Sequence, residues 1–182
     1  MNGSVLAGLM CLCVATIASA ADRDSMSHGK LTEPGQAVSA ALAEAIAALE
    51  SDPTTDWAKV DVTSLRDHLL DMDEVMMRST ATVETSGNIV RVTYTGAGRT
   101  LAAIQRMIPA HGAMMEGFKD WRTSTALRPD GATWTIVTDD AQQRDRIRAY
   151  GAYGLLTLGS HHLVHHLAIA SGAHPHSFRP HP

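Results

Sequence analysis

Apolar side chains recur at helical spacing in several segments of the chain. In one of them Leu65, Leu69 and Met72 fall on one face, and in another Ile104 and Ile108 do so. A repeat of this kind is typical of a helix with one buried face. The pattern predicts helices at residues 35–50, 64–77, 100–116, 140–150 and 155–170.

Short segments in which apolar and polar residues alternate predict strands between these helices. The strands are expected at residues 80–85, 89–95, 121–127 and 132–137. A turn at Ser86-Gly87-Asn88 joins the first two, and a turn at Arg128-Pro129-Asp130-Gly131 joins the last two. The sequence therefore predicts an α+β domain in which helices cover one face of small antiparallel strands.

The order helix, strand, turn, strand occurs twice, at residues 64–95 and 100–138. In each copy the helix carries a histidine followed four residues later by a methionine: His68 with Met72, and His111 with Met115. This repetition predicts an internal duplication, α-ββ-α-ββ-α, with one additional N-terminal helix and a histidine-rich C-terminal helix. The two His-Met pairs would then occupy equivalent positions.

The first residues have the pattern of a secretory signal peptide. Val5–Ile17 is largely apolar, and Ala18-Ser19-Ala20 fits a cleavage site of small residues. The apolar run is shorter than the roughly 20 residues that a membrane-spanning helix needs, although an uncleaved anchor is the alternative. Both cysteines lie in this segment. We therefore expect a periplasmic or secreted protein without a stable membrane anchor and without cysteine ligands after processing.

Length and charge limit the classes of function. The chain has 182 residues and a formal net charge of −4, which argues against nucleic acid as a partner. One ordinary domain accounts for this length. The predicted organisation is a signal peptide at 1–20, a disordered linker at 21–33, a single α+β domain at 34–172 and a flexible His/Pro tail at 173–182.

The densest chemical signal is the segment Ser160–His166, which contains four of the ten histidines. On a helix, residues four apart lie on one face, so His161 pairs with His165 and His162 with His166. The helical wheel places the second pair beside the apolar stripe and the first pair further out. We therefore expect an inner pair at a core site and an outer pair at the surface.

Imidazole is the commonest protein ligand for transition metals, and thioether sulfur is a soft donor that suits Cu(I). The sequence therefore predicts copper first, zinc second for an all-histidine subset, and haem third. The chain has no C-x-x-C-H segment for covalent haem attachment. The candidate metal ligands are His68, Met72, His111, Met115, His161, His162, His165 and His166.

These patterns predict an exported metal-binding protein that acts in metal storage, buffering or delivery. The rival interpretation is a non-metal binding or interaction module whose histidines pack in the core or face solvent. A metal-dependent enzyme is a third possibility, but no catalytic residue is predicted. Ser160 beside His161 lacks the third member of a triad and the glycine pattern of a nucleophile elbow.

Overall fold

A computed structural model describes residues 38–159 and 161–173, without the side chain of His161. The predicted signal peptide, linker and most of the predicted tail lie outside these residues. The helices are α1 (Val38–Ser51), α2 (Val62–Arg78), α3 (Gly98–Met114), α4 (Ala141–Leu155) and α5 (His161–Ala170). The strands are β1 (Thr80–Ser86), β2 (Ile89–Thr95), β3 (Arg122–Arg128) and β4 (Gly131–Val137).

The four strands form one antiparallel sheet in the order β1-β2-β4-β3. Each predicted hairpin is present, and the second strands of the two hairpins pair at the centre, where Val92 lies opposite Trp134. The first hairpin turns at Gly87, whose φ of 59° favours glycine. The α+β class is thereby confirmed. The order of elements is repeated as predicted, whereas an internal duplication stays a prediction.

One face of the sheet forms the larger apolar core because alternate residues of β2 and β4 point to it. Val90, Val92 and Trp134 are buried there against Ile104 and Ile108 of α3. The remaining buried members of this core are Val75, Tyr94, Ala103, Met115, Trp121, Ala132, Ile136, Ile147, Ala152 and Leu155. Helices cover this face, as the alternation in the sequence predicted.

A second, smaller apolar cluster lies where α1, α2 and α5 pack together. Its buried members are Ala45, Leu49, Leu65, Leu69, Ile169 and Ala170. The cluster attaches α5 to α2 along one side of both helices. The histidines of α5 are thereby brought next to the middle of α2.

Some predicted boundaries were wrong. Helix α2 begins earlier than expected, and its N-cap is Asp61, whose carboxylate accepts a hydrogen bond from the Ser64 amide. The histidine helix begins only at His161, because Gly159 has a φ of 92° that a helix cannot accommodate. Helix α3 includes Pro109, which supplies no N–H to the hydrogen bonds of the helix.

Candidate metal centre

Five imidazole rings meet where α2, α3 and α5 approach one another. We call this group the histidine cluster, and its members are His68 of α2, His111 of α3, and His162, His165 and His166 of α5. The spacing on α5 explains three of the five, because residues at i, i+3 and i+4 share one side of a helix. The sequence predicted all five as candidate ligands.

Most of the cluster is removed from solvent. The exposed fractions are 7% for His68, 5% for His111, 9% for His165 and 6% for His166, while His162 is half-buried. The expectation that His165 would lie in an outer pair at the surface was wrong. The wheel failed because α5 also exposes apolar side chains, including Val164.

Three of the rings form a closed triangle. The centroid of the His68 ring lies 4.9 Å from that of His165 and 5.3 Å from that of His166, and the His165 and His166 centroids are 6.3 Å apart. The His68 ring meets both neighbours edge-on, with interplanar angles of 68°. We call these three residues the His68 triangle.

A second group of rings continues from the triangle. His162 lies 6.2 Å from His166 between ring centroids, and 5.8 Å from His111 with the two rings nearly parallel, at 21°. We call His111 and His162 the His111 pair. Its members come from different helices, α3 and α5, so their approach depends on the tertiary fold.

The orientation of His111 is fixed from two sides. Its Nε2 lies 3.2 Å from the carbonyl oxygen of Leu155, and its ring meets the Trp134 indole edge-on at a centroid distance of 5.3 Å. A carbonyl oxygen can only accept, so in the neutral ring the proton is on Nε2 and the lone pair is on Nδ1. The contact with Leu155 could not be predicted from the sequence, because it is made by the Leu155 backbone.

The helices that carry the cluster are fixed by polar contacts outside it. Arg106 of α3 donates to both carboxylate oxygens of Asp71 in α2, at 2.8 and 2.9 Å. These hydrogen bonds raise the pKa of the Arg106 guanidinium above its ordinary value. Thr100 donates a further hydrogen bond of 2.8 Å to Glu74. Together these contacts set the position of α2, and hence of His68, relative to α3.

The attachment of α5 is equally specific at its C-terminal end. The Asp61 amide donates a hydrogen bond of 2.8 Å to the carbonyl oxygen of Ala170. Gly172 adopts a φ of 87° and lies so close to the Lys59 carbonyl that a Cβ atom there would overlap with it. The N–H groups of Gly172 and Ala173 close the helix in a Schellman arrangement.

The ring distances can be compared with those of a shared ion. With metal–nitrogen bonds of about 2.0–2.1 Å, two imidazoles at a tetrahedral angle have centroids about 5.2 Å apart. The two distances from His68 match this value, whereas the distance between His165 and His166 exceeds it by about 1 Å. Among the residues that the structure describes, no group of three or more His, Cys, Asp or Glu side chains is placed so that it could hold a metal ion.

The two predicted thioether ligands lie in apolar surroundings. Met115 is 1% exposed in the core beneath the sheet, and half-buried Met72 packs against the cluster of α1, α2 and α5. The His161 side chain lies outside the described residues, as do the histidines of the tail. The ligand roles of Met72, Met115 and His161 therefore stay predictions.

Comparison of the chain with known protein families, curated proteins and solved structures gives no significant match.

Proposed function

We propose that this protein binds a transition-metal ion, copper or zinc, at the His68 triangle, and that it serves in metal storage, buffering or delivery. The observation that supports this proposal is the closed triangle of buried imidazoles donated by α2 and α5. We further propose that it acts in the periplasm or as a secreted protein, in line with the signal-like N-terminus. Within residues 38–159 and 161–173, no helix combines the length and apolarity needed to span a membrane.

The free energy of folding supports a ligand-binding role. Polar groups are more costly to bury than apolar side chains of similar size, and the cost is recovered only through specific partners. Leucine or isoleucine at these positions would hold α2 against α5 at a lower cost in free energy of burial. A cluster of imidazoles at a helix interface is therefore better explained by an ion than by stability alone.

The coordination chemistry agrees with the donor set. The ring distances from His68 to its two neighbours match those of imidazoles that share one ion, whereas His165 and His166 lie about 1 Å too far apart, so binding requires these two rings to approach each other. Three neutral imidazoles suit both zinc and copper. Copper is the first candidate because imidazole binds both of its common oxidation states.

The packing of the rings favours a single ion over haem. Centroid distances of 4.9 and 5.3 Å between edge-on rings are those of rings in direct contact, so the rings are packed closely around His68. A porphyrin plane between two axial ligands would have to displace the neighbouring rings. The two cavities described, of 260 and 200 Å³, lie beside the turn between β1 and β2 and beside the connection between α1 and α2, away from the cluster.

The test is metal binding by the untagged protein, because a histidine tag would bind the same ions. Equilibrium dialysis against Zn(II), and competition against a chromogenic chelator for Cu(I), give the affinity and the stoichiometry. Replacing His68 with leucine removes one ligand but fills the space. We expect the affinity to fall at least tenfold, or about 1.4 kcal/mol.

A matched control is His181→Ala, which removes a histidine of the predicted tail and is expected to leave the affinity unchanged. Urea titration of both variants separates binding from folding. If His68→Leu binds metal as tightly as the wild type, or if the wild type binds neither ion, the histidines are packing residues and the proposal is wrong.

A further inference from the structure

The cavity beside the connection between α1 and α2 is also lined by α5, and we call it the α1–α5 groove. We infer that the C-terminal tail of the same chain docks in this groove, with the Phe178 ring inside it and the Arg179 guanidinium beside Asp52. The occupant is residues 174–182, which lie outside the described residues. Three observations support the docking, and none of them depends on metal binding: the lining of the groove, its position next to the start of the tail, and the side chains of the tail.

The groove offers room and apolar contacts for one large side chain. Its volume is 200 Å³, and its apolar lining includes Leu49 of α1, Val60 of the connection and Leu167 of α5. Leu167 is 37% exposed, so part of its surface is left in contact with water. An aromatic ring in the groove would cover this surface and bury its own, and the free energy of both changes is favourable.

The groove also favours a cation. The charged side chains among its described lining residues are both acidic, Asp52 and Asp56. Asp56 forms an ion pair of 2.7 Å with Lys59. One oxygen of Asp52, Oδ1, accepts hydrogen bonds from the Thr54 N–H and hydroxyl, which hold the pKa of Asp52 below its ordinary value. Asp52 is therefore negatively charged at neutral pH and can accept further hydrogen bonds from a guanidinium group.

The tail starts at the groove. Ser171 is one of the lining residues, and the described chain ends two residues later, at Ala173. Phe178 follows after five more residues, and a proline-rich segment extends by about 3.1 Å per residue, so the ring can reach about 15 Å from Ala173. The loop that docking would close is short, and its closure costs little entropy. The residues before α1 are less suitable occupants, because they join the domain at Val38, at the other end of α1 from Leu49.

The tail contains the two side chains that the groove favours, at adjacent positions. Phe178 is one of only two phenylalanines in the chain, and Arg179 follows it directly. The remaining tail residues are Ser177, three histidines, three prolines and no other large apolar side chain. Proline restricts the backbone before docking, so less conformational entropy is lost when the tail is fixed. The apolar ring supplies the affinity and the guanidinium sets the orientation.

The experiment is methyl NMR of the untagged full chain with labelled leucine and valine. We expect nuclear Overhauser effects between the Phe178 ring protons and the methyl groups of Leu167 and Val60. Phe178→Ser should abolish them and lower the docked population at least tenfold, because burial of the ring is lost. His181→Ala is the matched control in the same tail and should leave the methyl spectrum unchanged.

The charged contact is tested with Arg179→Glu, which leaves the groove itself intact. We expect a several-fold lower docked population, read from the methyl shifts of Leu167. Adding Asp52→Lys to this variant should restore docking, because the two charges are then exchanged.

Three results would overturn the docking of the tail. The first is the absence of these nuclear Overhauser effects in the wild type. The second is an identical methyl spectrum for the wild type and Phe178→Ser. The third is contact between Phe178 of one molecule and Leu167 of another in a mixture of differently labelled chains, which would show pairing of two copies instead.

Discussion

Gly172 is the residue on which the attachment of α5 depends most directly. It follows the last turn of the helix, has a φ of 87°, and lies against the backbone of Lys59. An added Cβ would come closer than 3.0 Å to the Lys59 carbonyl oxygen, a distance that real Cβ atoms do not reach. Gly172→Ala should therefore push the end of α5 away from the segment before α2.

Two costs contribute to the expected loss of stability. A non-glycine residue in the left-handed region costs about 1–2 kcal/mol. Separation of the two backbones also strains the hydrogen bond from the Asp61 amide to the Ala170 carbonyl, which is worth about 0.5–1.5 kcal/mol. The total for Gly172→Ala is about 1.5–3.5 kcal/mol.

The control is Gly117→Ala. Gly117 has a similar φ of 76°, but nothing lies within 4 Å of the position of its Cβ. The free energy of unfolding of Gly117→Ala should therefore fall only by the conformational cost, about 1–2 kcal/mol. Urea titrations of both variants give the two free energies of unfolding. Equal losses would refute the argument, because they would show that Lys59 does not hold α5 in place.

Three other predictions test the core, a buried hydrogen bond and the metal site. Ile104→Ala should cost about 2–5 kcal/mol in urea titrations, because Ile104 is fully buried under the sheet; no loss would mean that this face of α3 is misassigned. Tyr94→Phe should cost about 1–3 kcal/mol, because the Tyr94 hydroxyl donates a buried hydrogen bond to the Ala152 carbonyl. Burial raises the pKa of Tyr94, so folding favours its neutral form. The free energy of unfolding of the wild type should therefore fall more steeply than that of Tyr94→Phe as the pH rises above about 10. Parallel plots of unfolding free energy against pH for the two proteins would contradict this. Metal affinity should decrease as the pH falls below about 6.5, since protons compete for imidazole nitrogen, and competition titrations showing no such decrease would exclude imidazole ligands.

The sheet and its turns followed from the sequence because their signals are local. Alternation in β2 and β4 identifies the buried face, and glycine or Pro-Asp at the turns identifies the hairpins. The pairing of β2 with β4 could not be derived in this way, because it joins strands separated by α3. The start of α2 was misplaced for a related reason: Asp, Thr and Ser are all good helix caps, and only the packed structure selects Asp61 over Thr63 and Ser64.

The histidines of the cluster were found as residues, but their arrangement was only partly predicted. A helical wheel assumes that the apolar side of a helix is the buried one. In α5 that assumption fails at neighbouring positions, since Val164 is 74% exposed whereas His165 is 9% exposed. The polar side of α5 is buried because His68 of α2 packs against it. Such a match between two surfaces depends on the tertiary fold, so the hydrophobic periodicity of one helix cannot predict it.

The central pairing of β2 with β4 has a consequence for the order of folding. Each hairpin closes over a turn of two residues. Pairing of the two hairpins instead closes a long loop that contains the whole of α3. Closing a longer loop costs more entropy, and contacts between distant segments slow folding. The hairpins should therefore form first and the β2–β4 ladder later, as the step that limits the rate at which the sheet is completed.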